Sequence, residues 1–347
     1  MRTSEIRKRW LDYFRKNDHE IVDSVPLVSP DPSILFTIAG MVPFIPYIVG
    51  TEEAPFPRVA SVQKCIRTND IENVGRTTRH GTFFQMCGNF SFGDYFKEGA
   101  IDLAFGLLTT PIDDGGYGLE KERLWVTIWE EDEVAFNHLV DVIGVEPKHI
   151  VKLTREENFW STGTPGPAGP CAEIHYDRGP EFGPDAIGGT VDPGGDRYLE
   201  VWNLVFDEFL RGEGQGQDYP LLGKLDQTAI DTGAGLERIA YLLQGKNNMY
   251  EIDEVFPVVE ATEKLTGKVY GEDEEDDVRM RIIADHVRSA LMLINDGVRP
   301  GNDGRGYVLR RLIRRAVRSV RLLGYDDVAL PHLLPASMKV MKESYPE

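Results

Sequence analysis

The segment Asp231-Thr-Gly-Ala-Gly-Leu-Glu-Arg238 places a carboxylate, two glycines and a guanidinium within eight residues. Glycines let a backbone approach a nucleotide, and the helix start expected after Gly235 favours phosphate. The third glycine of a dinucleotide fingerprint is missing, with Arg238 in its place, and no Gly-Lys-Ser/Thr follows as in a P-loop. Arg238 could stack on a base or pair with a phosphate; the plainer reading is a glycine turn with a surface Arg–Glu pair. A second basic group, Lys64-Cys-Ile-Arg67 and Arg76-Thr-Thr-Arg79-His80, precedes the aromatics Phe83-Phe84, Phe90 and Phe92. Arginine forks suit phosphate oxygens and aromatic faces suit a purine, unless the arginines are simply solvated at a half-buried sheet edge. Asn203 falls in the row Leu199, Val201, Asn203, Val205, and an amide inside an apolar row needs a partner, structural or ligand.

The third cluster runs from Arg305 to Arg321, with seven arginines and no acid. At helical spacing Leu309, Leu312, Ile313, Ala316 and Val320 form the buried stripe, while Arg310, Arg314, Arg318 and Arg321 share another side. Against an acidic background this row suits a phosphate backbone; the competing use is a salt-bridged face toward an acidic neighbour. No His-x-x-x-His, no Cys/His cluster at zinc spacing and no Gly-x-Ser-x-Gly elbow occurs.

Residues 4–16 place Ile6, Trp10, Tyr13 and Phe14 on one helical stripe, with Ser4 as its cap. From Ile34 to Glu237 short apolar runs (Thr82 to Cys87, Leu124 to Trp129, Ile174 to Tyr176, Tyr198 to Phe209) alternate with Gly- and Pro-rich loops. This pattern predicts an α+β domain with a large, mostly antiparallel sheet rather than regular βαβ units. Helices are expected near Ala100 to Leu108 and Glu131 to Ile143, then at Leu236 to Leu243, Val255 to Thr266, Val278 to Asn295 and Tyr307 to Leu323. The acid run Glu272–Asp277 reads as a solvated connector, since contiguous carboxylates repel and rarely converge on a metal. Gly163 to Pro170 reads as a rigid loop.

The 347 residues carry 38 basic and 57 acidic side chains, a formal charge of −19, and are 41% hydrophobic. That composition fits packed globular cores rather than disorder, and the charge weighs against a nonspecific nucleic-acid wrapper while leaving room for a local basic patch. Three cysteines (Cys65, Cys87, Cys171) make no disulfide framework and suit a reducing compartment. Pro32 to Thr51 is free of charge, but Gly40, Pro43 and Pro46 break it, so Ile34 to Ile38 is expected as a buried strand, not a membrane span.

Taken together, Leu35-Phe-Thr-Ile-Ala-Gly-Met41, Thr82-Phe-Phe-Gln-Met86 with Gly88-Asn-Phe-Ser-Phe-Gly-Asp-Tyr-Phe96, Asn158-Phe-Trp160, Gly166-Pro-Ala-Gly-Pro-Cys171, Trp202-Asn-Leu-Val-Phe206, Asp231 to Arg238, Ala284-Asp-His-Val-Arg288 and Arg305-Gly-Tyr-Val-Leu-Arg-Arg311 resemble the alanyl-tRNA synthetases, a class II aminoacyl-tRNA synthetase family. The resemblance spans essentially the whole chain. It implies a six-stranded antiparallel class II sheet flanked by helices, with residues 1–244 as the catalytic domain and 245–347 as a mostly helical acceptor-stem recognition region. It also implies ATP-dependent activation of L-alanine and transfer to tRNA, in the cytoplasm, by a segment that could act as a monomer.

By the same resemblance Arg67 matches the motif 2 arginine on the α-phosphate and Arg238 the motif 3 arginine over adenine, both catalytic. His80, Trp160, Val201, Trp202, Asn203 and Gly235 join them as ATP-binding positions. Asn203 and Asp231 match the pair that holds alanine. Asn302 matches an asparagine that reads the tRNA acceptor stem, with Arg310, Arg314 and Arg318 following its phosphates. Mg²⁺ is implied, with Glu173 and Glu200 as candidate ligands. Zinc is implied only for an editing domain outside this sequence, without which serine misactivation would go uncorrected. Three departures stand out: Arg67 to Asn73 lacks the family's Gly-Gly-Lys insertion, Gly81 replaces a second histidine, and Ala168 replaces a frequent cysteine. The alternative is a catalytically silent RNA-binding or regulatory relative, which should have lost Arg67, Asn203, Asp231 or Arg238; all four are present.

Overall fold

The computed structural model describes residues 1–29, 34–161, 163–187 and 196–347. Its strands are β1 (Glu20–Ile21), β2 (Arg58–Ile66), β3 (Phe83–Phe92), β4 (Leu124–Trp129), β5 (Ile150–Leu153), β6 (Phe159–Ser161), β7 (Gly166–Asp177), β8 (Tyr198–Arg211) and β9 (Leu221–Gly235). They form one mixed sheet in the order β1-β2-β3-β9-β8-β7-β4-β5, with β6 on β7. The run from β2 to β4 in that order is antiparallel throughout. β1 and β5 extend it in parallel at the two ends. The α-helices are α1 (Thr3–Lys16), α2 (Ile45–Ile48), α3 (Lys97–Thr109), α4 (Glu133–His138), α5 (Arg155–Asn158), α6 (Leu236–Leu243), α7 (Phe256–Thr266), α8 (Glu274–Asn295), α9 (Gly304–Leu322) and α10 (Leu330–Met341).

One face of the sheet is closed by α1, whose stripe Ile6, Trp10 and Phe14 is fully buried. Trp10 meets Trp202 of β8 with ring centroids 4.5 Å apart. Each such side chain contributes about 1.5–3 kcal/mol by leaving water. Ser4 does not cap α1. The helix starts one residue earlier, and the carboxylate of Asp253 takes the Thr3 N–H at 3.1 Å. The main hydrophobic core includes Trp10, Trp202 and Tyr241 and continues without a break through Tyr250, Val287 and Leu333.

The helices after α6 also complete the sheet. Pairing of β3 with β9 ends at Met86 opposite Gly235. Beyond that point side chains accept the strand's N–H groups: Asp285 takes Thr82 at 2.7 Å, Ser289 Oγ takes Phe83 at 3.0 Å and Glu237 takes Gln85 at 3.0 Å. Buried backbone donors need such partners, so α8 and the first turn of α6 stand where another strand would be.

Four local expectations are corrected. Pro32 and Ser33 lie outside the described residues, and Ile34 to Ile38 forms no strand. Phe36 and Thr37 are buried while Leu35 and Ile38 are about half exposed, and Thr37 bonds Leu27 and Ile66 in an irregular cross-link rather than a ladder. Gly166 to Pro170 belongs to β7. Its prolines sit around a register break between Ala168 and Cys171, where ladder donors are dispensable. Gly233 and Gly235 are strand residues, not a turn; a Cβ on Gly233 would come 2.8 Å from Met86 Sδ. Most of the acid run is the first turn of α8, where helix N–H groups favour carboxylates. Asp273 caps it through the Asp276 N–H, and Asp277 accepts from Gly271 at 2.7 Å.

Candidate active site

Above the β3–β9–β8 face lies a cavity of about 690 Å³. Its lining includes Arg67 at the end of β2, His80 from the loop before β3, Trp160 of β6, Val201 and Asn203 of β8, Asp231 and Gly235 of β9, and Arg238 of α6. These residues are spread over more than 170 positions of sequence, and the antiparallel order of the strands brings them together.

The cationic wall is held by defined contacts. Arg67 donates from Nε to the Ile38 carbonyl at 3.0 Å and lies over the Phe84 ring, 5.0 Å from its centroid. Arg238 donates to the Glu200 carbonyl at 3.1 Å and reaches its carboxylate at 3.4 Å. Burial is the largest single influence on the Glu200 carboxyl and pushes its pKa up, but Arg238, His175 and Arg67 together outweigh it and hold it below its ordinary value. His80 bonds Thr77 Oγ1 at 2.7 Å, and burial, followed by the charge of Arg79, lowers the pKa of its imidazole. Arg79 also lines the cavity. It sits in the basic group visible in the sequence but carries no family assignment there, so chemistry alone could have flagged it.

The opposite wall is acidic and apolar. Asp231 is only 6% exposed, and burial pushes its carboxyl up to about 7. No cationic side chain among the described residues pairs with it. Asp207 nearby is fully buried, both its carboxylate oxygens lack a hydrogen-bond partner among the described residues, and burial, then the charge of Asp231, raises its pKa. Asn203 donates from Nδ2 to Glu173 at 3.3 Å. Because a carboxylate can only accept, this contact fixes the amide orientation and leaves the second Nδ2 hydrogen for a ligand.

Two of the residues assigned from the sequence do not reach the cavity. The Trp202 ring lies on the opposite face, in the core against Trp10 and Phe14. Glu173 does not line the cavity but contacts Asn203, Thr127 and His175. Plain alternation explains the first, since Trp202 directly precedes Asn203 in β8 and lines the core with Leu204 and Phe206, while the register resets the residues before it. Ile174 pairs with Trp202 and the next residue, His175, pairs with Glu200, so Val201 is an extra residue in β8. This bulge breaks the two-residue alternation, puts Leu199 in the core with Trp202 and turns Glu200 into the cavity. Lys64 also turns away, bonding Asp296 at 2.8 Å.

A second hollow of about 470 Å³ follows α9, lined by Asn302, Tyr307, Arg310, Arg311, Arg314, Arg315 and Arg318. Asn302 accepts from Arg310. Arg314 and Arg318 have no acidic partner among the described residues, whereas Arg311 and Arg315 bridge to Glu72. The salt-bridged use of α9 thus falls to Arg311 and Arg315, which lie outside the row of Arg310, Arg314, Arg318 and Arg321.

The sheet and the cavity define a class II synthetase catalytic fold, and the chain belongs to the family described as tRNA synthetases class II (A), whose pattern matches residues 5–347. Along its whole length it is 59% identical to the alanine–tRNA ligase of Bifidobacterium longum, covering 38% of that protein. It is also 59% identical to the alanine–tRNA ligase of Leifsonia xyli, again over all of this chain and 39% of that one. The chain thus spans well under half the length of these curated relatives. Among solved structures, an asparaginyl-tRNA synthetase from Entamoeba histolytica aligns over 71% of this chain and 64% of that chain at 11% identity, with a TM-score of 0.39. Among the described residues no helix is long and apolar enough to cross a membrane, and no cluster of three or more metal-binding side chains occurs.

Proposed function

We propose that the chain activates L-alanine with ATP and passes the alanyl group to the 3′ end of its tRNA, in the cytoplasm. Residues 1–244 would form the catalytic unit and 245–347 the acceptor-stem region. The observation that carries this reading is a single cavity with an unpaired acid, Asp231, on one side and Arg67 and Arg238 on the other. Asp231 holds the ammonium of alanine, and Asn203 turns its spare amide hydrogen to the carboxylate. An oxygen of that carboxylate attacks the α-phosphorus in line; the bond to the bridging oxygen of pyrophosphate breaks and alanyl-adenylate forms. Arg67 bears the charge gathering on the α-phosphate, and Arg238 lies over the adenine between Trp160 and Val201. The ribose hydroxyl of tRNA then attacks the carbonyl carbon and AMP leaves. No protein nucleophile is required, because positioning and charge neutralisation account for the rate.

Of the two candidate magnesium ligands, only Glu200 faces the cavity; it would hold the ion together with phosphate oxygens. The ion would neutralise charge on the departing pyrophosphate. Asn302, Arg310, Arg314 and Arg318 would follow the acceptor stem. Pyrophosphate exchange measured across the amino acids tests the reading: alanine-dependent exchange supports it, while RNA binding without exchange would leave a silent relative.

A further inference from the structure

The loop between β2 and β3 runs from Arg67 to Thr82 and supplies Arg67, Asp70, Arg79 and His80 to the cavity. Its outer side rests on the helices. Glu72 accepts from Arg311 at 2.9 Å and from Arg315 at 3.1 Å. Arg315 also reaches the Ile71 carbonyl at 3.4 Å. Its Nε bonds buried His286 at 3.1 Å, His286 bonds Asp285 at 2.8 Å, and Asp285 accepts the Thr82 N–H. The second half of the loop is held separately, with Gly75 donating to Tyr250 Oη and accepting from Arg281.

Glu72 is 70% exposed, and Arg311 and Arg315 are 41% and 27% exposed. A solvated pair of this kind is weak, while a phosphate backbone offers the same two arginines several charges in a row beside Arg310, Arg314 and Arg318. One carboxylate therefore occupies arginines of the hollow while tying down the half-loop that bears Arg67 and Asp70. Resting on the RNA-binding reading above, we propose that Glu72 is a positioning residue. It stands in for an RNA phosphate on Arg311 and Arg315, and RNA entering the hollow displaces it, loosens the Arg67–Asn73 segment and weakens ATP binding. Coupling of this kind is reciprocal, so ATP weakens RNA by the same factor.

The test titrates ATP in alanine-dependent exchange with and without a saturating short RNA hairpin, on the wild-type chain, E72Q and E72D. A saturating hairpin should raise the wild-type KM for ATP about threefold, the scale of an exposed ion pair, with kcat unchanged. E72Q should show the raised KM without RNA, respond no further, and bind the hairpin about threefold tighter. E72D should behave as wild type. If the hairpin binds wild type and E72Q equally, or E72Q keeps the wild-type KM and response, this inference falls and the RNA-binding reading stands. A wild-type chain that fails to bind the hairpin overturns both.

Discussion

The cavity and the α9 hollow are both lined by arginines, yet their settings are opposite. In the cavity Arg67 and Arg238 are fixed by carbonyls of neighbouring segments and face a buried acid across a mostly apolar floor. Along α9 the arginines stand on an open helix face with one exposed carboxylate between two of them. Charges held in a sheltered site act at short range and barely feel salt; those on an open helix face attract a polyanion and are screened. The first arrangement suits chemistry at one phosphorus atom, the second suits following a backbone.

The contrast breaks if substitutions in the two places have similar consequences. Asp231→Ala should cost about a thousandfold or more in alanine-dependent exchange, because an ammonium would lose its buried partner, with the circular dichroism spectrum unchanged. A variant with substantial exchange would remove Asp231 from the alanine site. Arg67→Ala should lower kcat/KM for ATP about a hundred- to a thousandfold, and that loss should persist at high salt.

Protonation sharpens the comparison next. Burial raises the Asp231 carboxyl from 3.8 to about 7, so at lower pH the site carries a neutral acid that cannot pair with an ammonium. KM for alanine should fall about tenfold per pH unit on approaching that value from below and flatten above it. The same raised value means the folded state binds the proton more tightly than the unfolded one. Its contribution to stability is therefore full below 3.8 and lost as pH rises to about 7. Asp231→Asn should remove that decline in thermal melts, and an unchanged slope would argue against a buried titrating carboxyl. The smallest effect belongs to α9. Arg314→Ala should weaken RNA binding a few-fold, reduce the salt slope by about one and leave exchange untouched. A large loss of exchange in this variant would mean that the two regions are not separate functions.

Much of this arrangement was legible in the sequence. Asn203 stands out as an amide in an apolar row, Asp231 as a carboxylate beside two glycines, and uncommon strings identify the family. The antiparallel β2-to-β4 run follows from the same resemblance. What the sequence hid is geometric. A strict alternation through β8 assigns Leu199 to the cavity row, and only the hydrogen-bond register reveals the extra residue at Val201. Trp202 matches a nucleotide-framing position by string but faces the core, as its place next to Asn203 in the strand requires. β2 is buried along nearly its whole length, so it shows no alternation to read. Glu72 looks like any loop acid until α9 is folded beside it.

The way β3 is finished has a consequence for how this polypeptide can be divided. Its N–H groups at Thr82, Phe83 and Gln85 are satisfied by side chains of Asp285, Ser289 and Glu237. A version cut after residue 244 would keep Glu237 but lose the other two acceptors, leaving a bare strand margin beside a stripped apolar surface. Such a margin invites pairing between molecules, so the shortened protein should precipitate on expression rather than yield a smaller working enzyme.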